Sequence, residues 1–241
     1  MLSLIKGLAL HDMIKVVRMN KARTSLTFDS PVVLVGGVPD PVGLSALSPK
    51  WPVIAADSGV DAALKAGLTP LSVIGDMDSV DDLASLPPEI QQIKLTGQDD
   101  TDFEKCLNLI SAPLIVGIGF IGSRFDHSLG VIHALAATSN QSHLLLVGAD
   151  DIILRVKGDA TLRLPIDTRL SIMPLAKQSF ITSSGLAWPL NGLQMEFGHS
   201  IGISNRVTDE VITITTGSGD GYAVIAPFDC YATILDQISQ D

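Results

Sequence analysis

Basic residues are scarce in this chain. Sixteen lysines and arginines face 26 acids, for a net charge of −10 and a pI near 4.8. Broad attraction to DNA, RNA or anionic lipid needs a basic face, so this composition argues against a nucleic-acid or membrane-surface partner. A nucleotide stays open, because a metal ion can carry the counter-charge. Cysteine is nearly absent. Cys106 and Cys230 lie far apart and neither belongs to a Cys-x-x-Cys pair. That argues against a disulfide framework or a zinc centre and fits a reducing cytoplasm. No uncharged apolar run reaches the ~18 residues of a membrane span. The hydrophobic N-terminus is broken by Lys6, His11, Asp12 and Lys15 and shows no small-residue cleavage site, so no signal peptide is expected. Residues 1–25 read as an extension or a short amphipathic helix. There is no Gly-x-x-x-x-Gly-Lys motif, no Gly-Lys dipeptide and no His-Glu-x-x-His, which sets aside a P-loop and a zincin. Internal repeats and low-complexity tracts are missing too.

What remains is apolar. Hydrophobic residues make up 46% of 241 and charged ones 17%, enough for a core in one large domain or two small ones. From about residue 31 to 148, segments rich in Val, Ile and Leu alternate with helical ones. Strands are expected over 31–36, 53–57, 71–75, 90–95, 114–119 and 144–148, buried on both faces as in a parallel sheet. Helices are expected over 59–66, closed by Gly67, over 101–111, opening on the capping-box spacing of Thr101 and Glu104, and over 126–138. After about residue 151 helical periodicity disappears. Short alternating runs take over (152–156, 161–164, 169–174, 179–182, 193–197, 211–216, 222–226), punctuated by Gly, Pro, Asn and Asp. The expectation is an α/β domain with an open, mostly parallel sheet over 1–155, followed by a smaller all-β sandwich over 156–241.

Acids are concentrated. Between Gly75 and Lys105 nine of them (Asp76, Asp78, Asp81, Asp82, Glu89, Asp99, Asp100, Asp102, Glu104) face two bases, Lys94 and Lys105. Crowded carboxylates repel unless a cation joins them. A hard divalent ion such as Mg²⁺ takes oxygen ligands and shares them with phosphates. Four polar groups follow successive strands: 57–59, 75–79, 98–102 and 119–127. In open α/β sheets that edge is where ligands bind. Each group alone is an ordinary cap or turn; their coincidence on one edge is the signal. Asp76 and Asp78, two apart on a turn, can face one ion, one of them through water. Asp99 and Asp102 form a second pair. Asp100, and Asp81 with Asp82 in the first turn of a surface helix, read as solvated. Gly117, Gly119 and Gly122 match Gly-x-Gly-x-x-Gly, but late in the sheet, so close approach to phosphate is the stronger reading. Arg124 adds a bidentate phosphate donor. At the helix start, Asp126 and His127 follow, with His127 open as base, phosphate donor or cap. In the β half, Trp188 reads either as a core aromatic or as an exposed face for a cationic heteroaromatic ligand.

The ordered set 57–59, 75–79, 98–102 and 119–127, then 185–190 and Ser204-Asn205, resembles the thiamine pyrophosphokinase family from about Val32 onward. The resemblance implies transfer of a pyrophosphoryl group from ATP to the thiamine hydroxyl, with Mg²⁺, in a homodimer whose site is shared between subunits. Asp76, Asp78, Asp99 and Asp102 take the metal and catalytic roles. Asp57, Ser79, Gln98, Thr101, Gly119, Gly122, Arg124, Asp126 and His127 face the nucleotide. Trp188, Ser204 and Asn205 face thiamine. Two positions depart from the family's habit: Ser123, where Gly is frequent, and Val131, where Asn is frequent. Three alternatives compete: a metal-dependent phosphoesterase using the same acids, a nicotinamide oxidoreductase built on Gly117, Gly119 and Gly122, and a non-catalytic thiamine sensor.

Overall fold

The computed structural model describes residues 25–38, 44, 51–97, 99–122 and 124–239. Nearly all of the expected N-terminal extension, Gln98 and Ser123 lie outside the described residues. In the first half the strands are β1 (Leu26–Thr27), β2 (Val32–Val35), β3 (Val53–Ala56), β4 (Ser72–Gly75), β5 (Gln91–Lys94), β6 (Ile110–Ser111), β7 (Leu114–Ile118) and β8 (His143–Val147). The helices are α1 (Gly59–Lys65), α2 (Asp102–Leu109) and α3 (Phe125–Ala137). Six strands pair in parallel in the order β8-β7-β2-β3-β4-β5. Strands β2, β4 and β7 are buried at every position, as a parallel sheet covered on both faces requires. The edge strand β5 differs from expectation. Its Gln91, Gln92 and Lys94 are exposed, and polar residues there blunt an unpaired edge. Residues 110–111, expected as the end of a helix, leave it to pair with β1. Tight contact pins α1: a Cβ on Gly59 would lie 2.0 Å from the Val35 carbonyl oxygen, so only glycine lets the helix start against the end of β2.

The second half holds β9 (Asp151–Val156), β10 (Ala160–Arg163), β11 (Arg169–Pro174), β12 (Gln178–Ser184), β13 (Gln194–Met195), β14 (Gly202–Arg206), β15 (Val211–Gly219) and β16 (Tyr222–Pro227). The change in sequence pattern near residue 151 does not interrupt the sheet. Strand β9 pairs antiparallel with β8, and β16, β11 and β14 follow, giving ten strands in all. A second, four-stranded antiparallel sheet, β10-β15-β12-β13, packs on this extension. One apolar cluster joins the two halves: Val33, Val116 and Leu145 of the parallel strands with Ile172, Phe180, Ile212 and Tyr222 of the sandwich. The fold is thus a large, mostly parallel α/β sheet with a separate antiparallel sheet behind one end.

Helical structure does not stop at residue 151, contrary to expectation. Helix α4 (Tyr231–Ile238) closes the described chain and buries Tyr231, Ile234 and Ile238 against the same cluster. Their spacing of three and four is one helix face, and each such buried side chain contributes about 1.5–3 kcal/mol. Strand β14 was likewise not anticipated, because its Gly202-Ile203-Ser204-Asn205-Arg206 run has only Asn205 buried.

Candidate active site

The carboxyl ends of β2, β3, β4 and β7 open onto a cleft of about 530 Å³. Asp57 follows β3, Asp76 and Asp78 follow β4, and all three offer a carboxylate oxygen within 4.8 Å of the others. Both turns use left-handed backbone at a non-glycine residue, Asp57 (φ 45°) and Met77 (φ 67°). Asp and Asn tolerate that conformation better than most; Met does not. Met77 is held there by burial in the small cluster with Ala55, Val60, Val73 and Ile90, which points the flanking acids outward. The Asp78 amide donates to Asp76 Oδ1 (3.3 Å) and the Ser79 hydroxyl to Asp78 Oδ1 (2.8 Å).

Asp57 is the buried member, 5% exposed. Its Oδ1 has no hydrogen-bond partner. Burial first, then the charge of Asp102, push its carboxyl above the usual range, against the Ser58 amide and the Ser79 hydroxyl. An orphaned, desolvated carboxylate oxygen costs free energy unless a cation meets it. The donor set is all oxygen, which suits Mg²⁺ rather than a soft metal. The residues therefore fit the divalent ion that the resemblance implies. Asp102, in the first turn of α2, borders the same space. A Cβ at Gly75 would meet Asp57 Cβ at 2.9 Å and Asp102 Oδ1 at 3.2 Å, so the small residue lets the two acids close over the end of β4. Asp76 is held below the usual carboxylate range chiefly by the Asp78 amide, with the Lys105 ammonium adding to it.

Lys105 is the residue the sequence reading passed over. It is 7% exposed and lies 2.8 Å from Asp102 Oδ1 and 3.6 Å from Asp76 Oδ2. Burial works against its charge, but the hydrogen bond and charge of Asp102, then Asp76, outweigh it and raise its pKa. The i, i+3 spacing from Asp102 across a helix start was the available signal. The carboxylate trio takes in Asp57, which the sequence assigned to the nucleotide, and leaves out Asp99, which is exposed beside exposed Asp100.

Ser79, Thr101, Gly119, Arg124, Asp126 and His127 all line the cleft. Gly122 is exposed just beside it, its amide donating to Ser128 Oγ (3.2 Å). Thr101 caps α2 through a complete capping box with Glu104. Arg124 grips Asp126 with two bonds, 2.6 and 3.3 Å. That grip, first through the hydrogen bond, lowers Asp126 to about 2. Phe103 and Phe120 pack with their rings tilted by 47° and their centres 4.6 Å apart, and form the apolar wall with Val131.

Trp188, Ser204 and Asn205 sit elsewhere, in the sandwich. Trp188 is 61% exposed, so its ring is no core aromatic. Buried Asn205 holds it: Oδ1 accepts from the Trp188 amide (3.1 Å) and Nδ2 donates to the Trp188 carbonyl (2.7 Å). Ser204 adopts φ 59° and its amide donates to Ser171 Oγ (3.0 Å). Strand β14 is eight places from β4 along the sheet, about 38 Å at the usual strand spacing. The aromatic face and the carboxylates of one chain do not share a pocket.

Two family models match the chain: thiamin pyrophosphokinase, catalytic domain, over residues 45–146, and thiamin pyrophosphokinase, vitamin B1 binding domain, over residues 160–219. Thiamine pyrophosphokinase 3 of Oryza sativa subsp. japonica is 30% identical over 164 residues, 57% of this chain and 61% of that protein. The chain thus spans about three fifths of this plant relative's length. Thiamine pyrophosphokinase of Bacillus subtilis (strain 168) is 26% identical over 203 residues, 78% of this chain and 94% of that one. Among solved structures, thiamin pyrophosphokinase from Geobacillus thermodenitrificans superposes with a TM-score of 0.67 at 22% identity, covering 82% of this chain and 96% of that one. The enzyme from Candida albicans gives 0.67 at 17%, covering 83% and 89%. At these identities the superpositions speak for the fold.

Proposed function

The chain belongs to the thiamin pyrophosphokinase family, and from that premise we propose that it transfers a pyrophosphoryl group from ATP to the hydroxyl of thiamine. The oxygen of that hydroxyl attacks the β-phosphorus, the bond from that phosphorus to the α–β bridging oxygen breaks, and AMP leaves with the bridging oxygen. One observation carries the reading: Asp57, whose orphaned buried oxygen belongs to the trio with Asp76 and Asp78, lines the same cleft as Arg124 and the Gly119 turn.

Phosphoryl-type transfer asks the protein for positioning and charge neutralisation more than covalent help. A magnesium ion held at this site would supply positive charge to neutralise the phosphates and the leaving group. Asp57, Asp76 and Asp78 would hold it. Arg124, already aimed by Asp126, adds a fixed positive charge beside the phosphates. Asp102 orients the attacking hydroxyl and accepts its proton or passes it to solvent. Thiamine's cationic ring stacks on Trp188, whose backbone Asn205 fixes. The ~38 Å between these parts supports a homodimer in which the sandwich of one copy completes the cleft of the other.

Mass-spectrometric product analysis after mixing the protein with ATP, Mg²⁺ and thiamine tests this. Thiamine diphosphate with AMP is expected. Thiamine monophosphate with ADP means attack at the wrong phosphorus. ATP hydrolysis in the absence of thiamine favours the phosphoesterase, and thiamine binding without turnover under any nucleotide favours the sensor.

A further inference from the structure

The trio and Asp102 bring four carboxylates around the end of β4, and one buried ammonium sits between two of them. Lys105 occupies the first turns of α2, the end of a helix where a cation is disfavoured by the backbone dipole. Burying an ammonium costs more still. Its position is therefore explained by what it touches: Asp102 at 2.8 Å and Asp76 at 3.6 Å, acids from two different elements. We propose that Lys105 is a built-in counter-ion of the metal site, a positioning residue that keeps Asp76 and Asp102 converged before a divalent ion binds and weakens the site's hold on the free ion. This rests on the metal-holding reading of Asp57, Asp76 and Asp78.

Two consequences have opposite signs. The ammonium repels an incoming dication, so its loss tightens binding of the bare ion. Its loss also lets Asp76 and Asp102 move apart, so the attacking hydroxyl and the metal-bound phosphates fall out of line and turnover drops. A nucleotide–metal complex brings its own negative charge and is repelled less. The arrangement thus favours arrival of the metal with its triphosphate over resident binding of the free ion.

The test compares wild type with Lys105→Met and Lys105→Arg, using Mn²⁺ alone as probe and counting free ion by its paramagnetic resonance signal. Without nucleotide, Lys105→Met is expected to bind Mn²⁺ about tenfold more tightly, the scale of one unit charge beside a dication in a well-solvated site. Its kcat falls at least about tenfold with the KM for thiamine within about twofold, and Lys105→Arg restores the wild-type Mn²⁺ affinity and part of kcat. Lys105→Gln repeats the comparison where the methionine variant fails to fold, and Lys177→Met, which removes an exposed charge from the sandwich, leaves Mn²⁺ affinity as it was. Unchanged or weaker Mn²⁺ binding in both neutral variants overturns the proposal, as does equal tightening in Lys177→Met. Absence of Mn²⁺ binding in the wild type instead overturns the metal-site reading beneath it.

Discussion

Asp57 combines burial, left-handed backbone and an unpartnered oxygen. Its folded-state pKa is raised, so the stability it allows is complete below the ordinary carboxylate range and is lost as pH rises through the raised value. In its ionised form this carboxylate is a buried negative charge that the fold accepts for the sake of the site. Asp57→Asn keeps the shape and accepts positive φ at least as well. It is expected to raise the metal-free melting temperature at neutral pH by a few degrees, the effect of about 1 kcal/mol in a domain of this size, while lowering turnover at least about a hundredfold, the order expected when a preorganised charge is removed. The thermal gain shrinks as pH falls toward the ordinary range. A melting temperature that drops at neutral pH, or turnover that survives, contradicts this account. Sequence gave Asp76, Asp78 and Asp102 their place because strand ends in an α/β sheet are a known address. It could not rank Asp57 over Asp99, since that depends on which loop folds inward.

Helix α2 links element to site. The Thr101 hydroxyl accepts from the Glu104 amide, and the Glu104 carboxylate accepts in turn from the Thr101 amide and hydroxyl (2.9 and 2.8 Å). That box fixes the first turn, and with it the directions of Asp102 and Lys105. Thr101→Ala should cost about 1 kcal/mol, read as a melting temperature lower by roughly 2–4 °C. Glu104→Gln, which preserves the box, should lose less than half of that. Equal losses in the two variants would show the box plays no part. The box itself was legible, because it is four residues long and self-contained. Helix α4 was not: its Tyr231, Ile234 and Ile238 are apolar at helical spacing, but eight residues after a series of short alternating runs give too brief a period to read. Strand β14 was hidden for a different reason, since its neighbour β11 supplies the hydrogen bonds that make it a strand.

Across the whole molecule, the separation of Trp188 from the carboxylates makes an experiment of symmetry. In the dimer proposed above, a two-fold axis would place the sandwich of each copy against the cleft of the other. Asp76→Asn and Trp188→Ala homodimers should each be nearly inactive. After the two are unfolded and refolded together, half the dimers are mixed and each mixed dimer has one intact site of two, so about a quarter of wild-type activity should return. Sedimentation should report a dimer throughout. No recovery on mixing, or a monomer with full activity, overturns the shared site. Apolar faces at Phe197, Ile201 and Ile203, exposed in the single chain, are available to such an association. No helix among the described residues is long and apolar enough to cross a membrane.

The amino-acid order alone determined the alternation of buried strands and helices, the change to short β runs near residue 151 and the line of acids at strand ends, because side-chain periodicity and turn chemistry act over a few residues. Only the three-dimensional packing decided that one ten-stranded sheet spans both halves, that Asp57 joins Asp76 and Asp78 while Asp99 stays in solvent, and that Lys105 lies among them. Those outcomes depend on contacts between segments distant in the chain, whose free energies arise from burial and charge at distances no local pattern encodes.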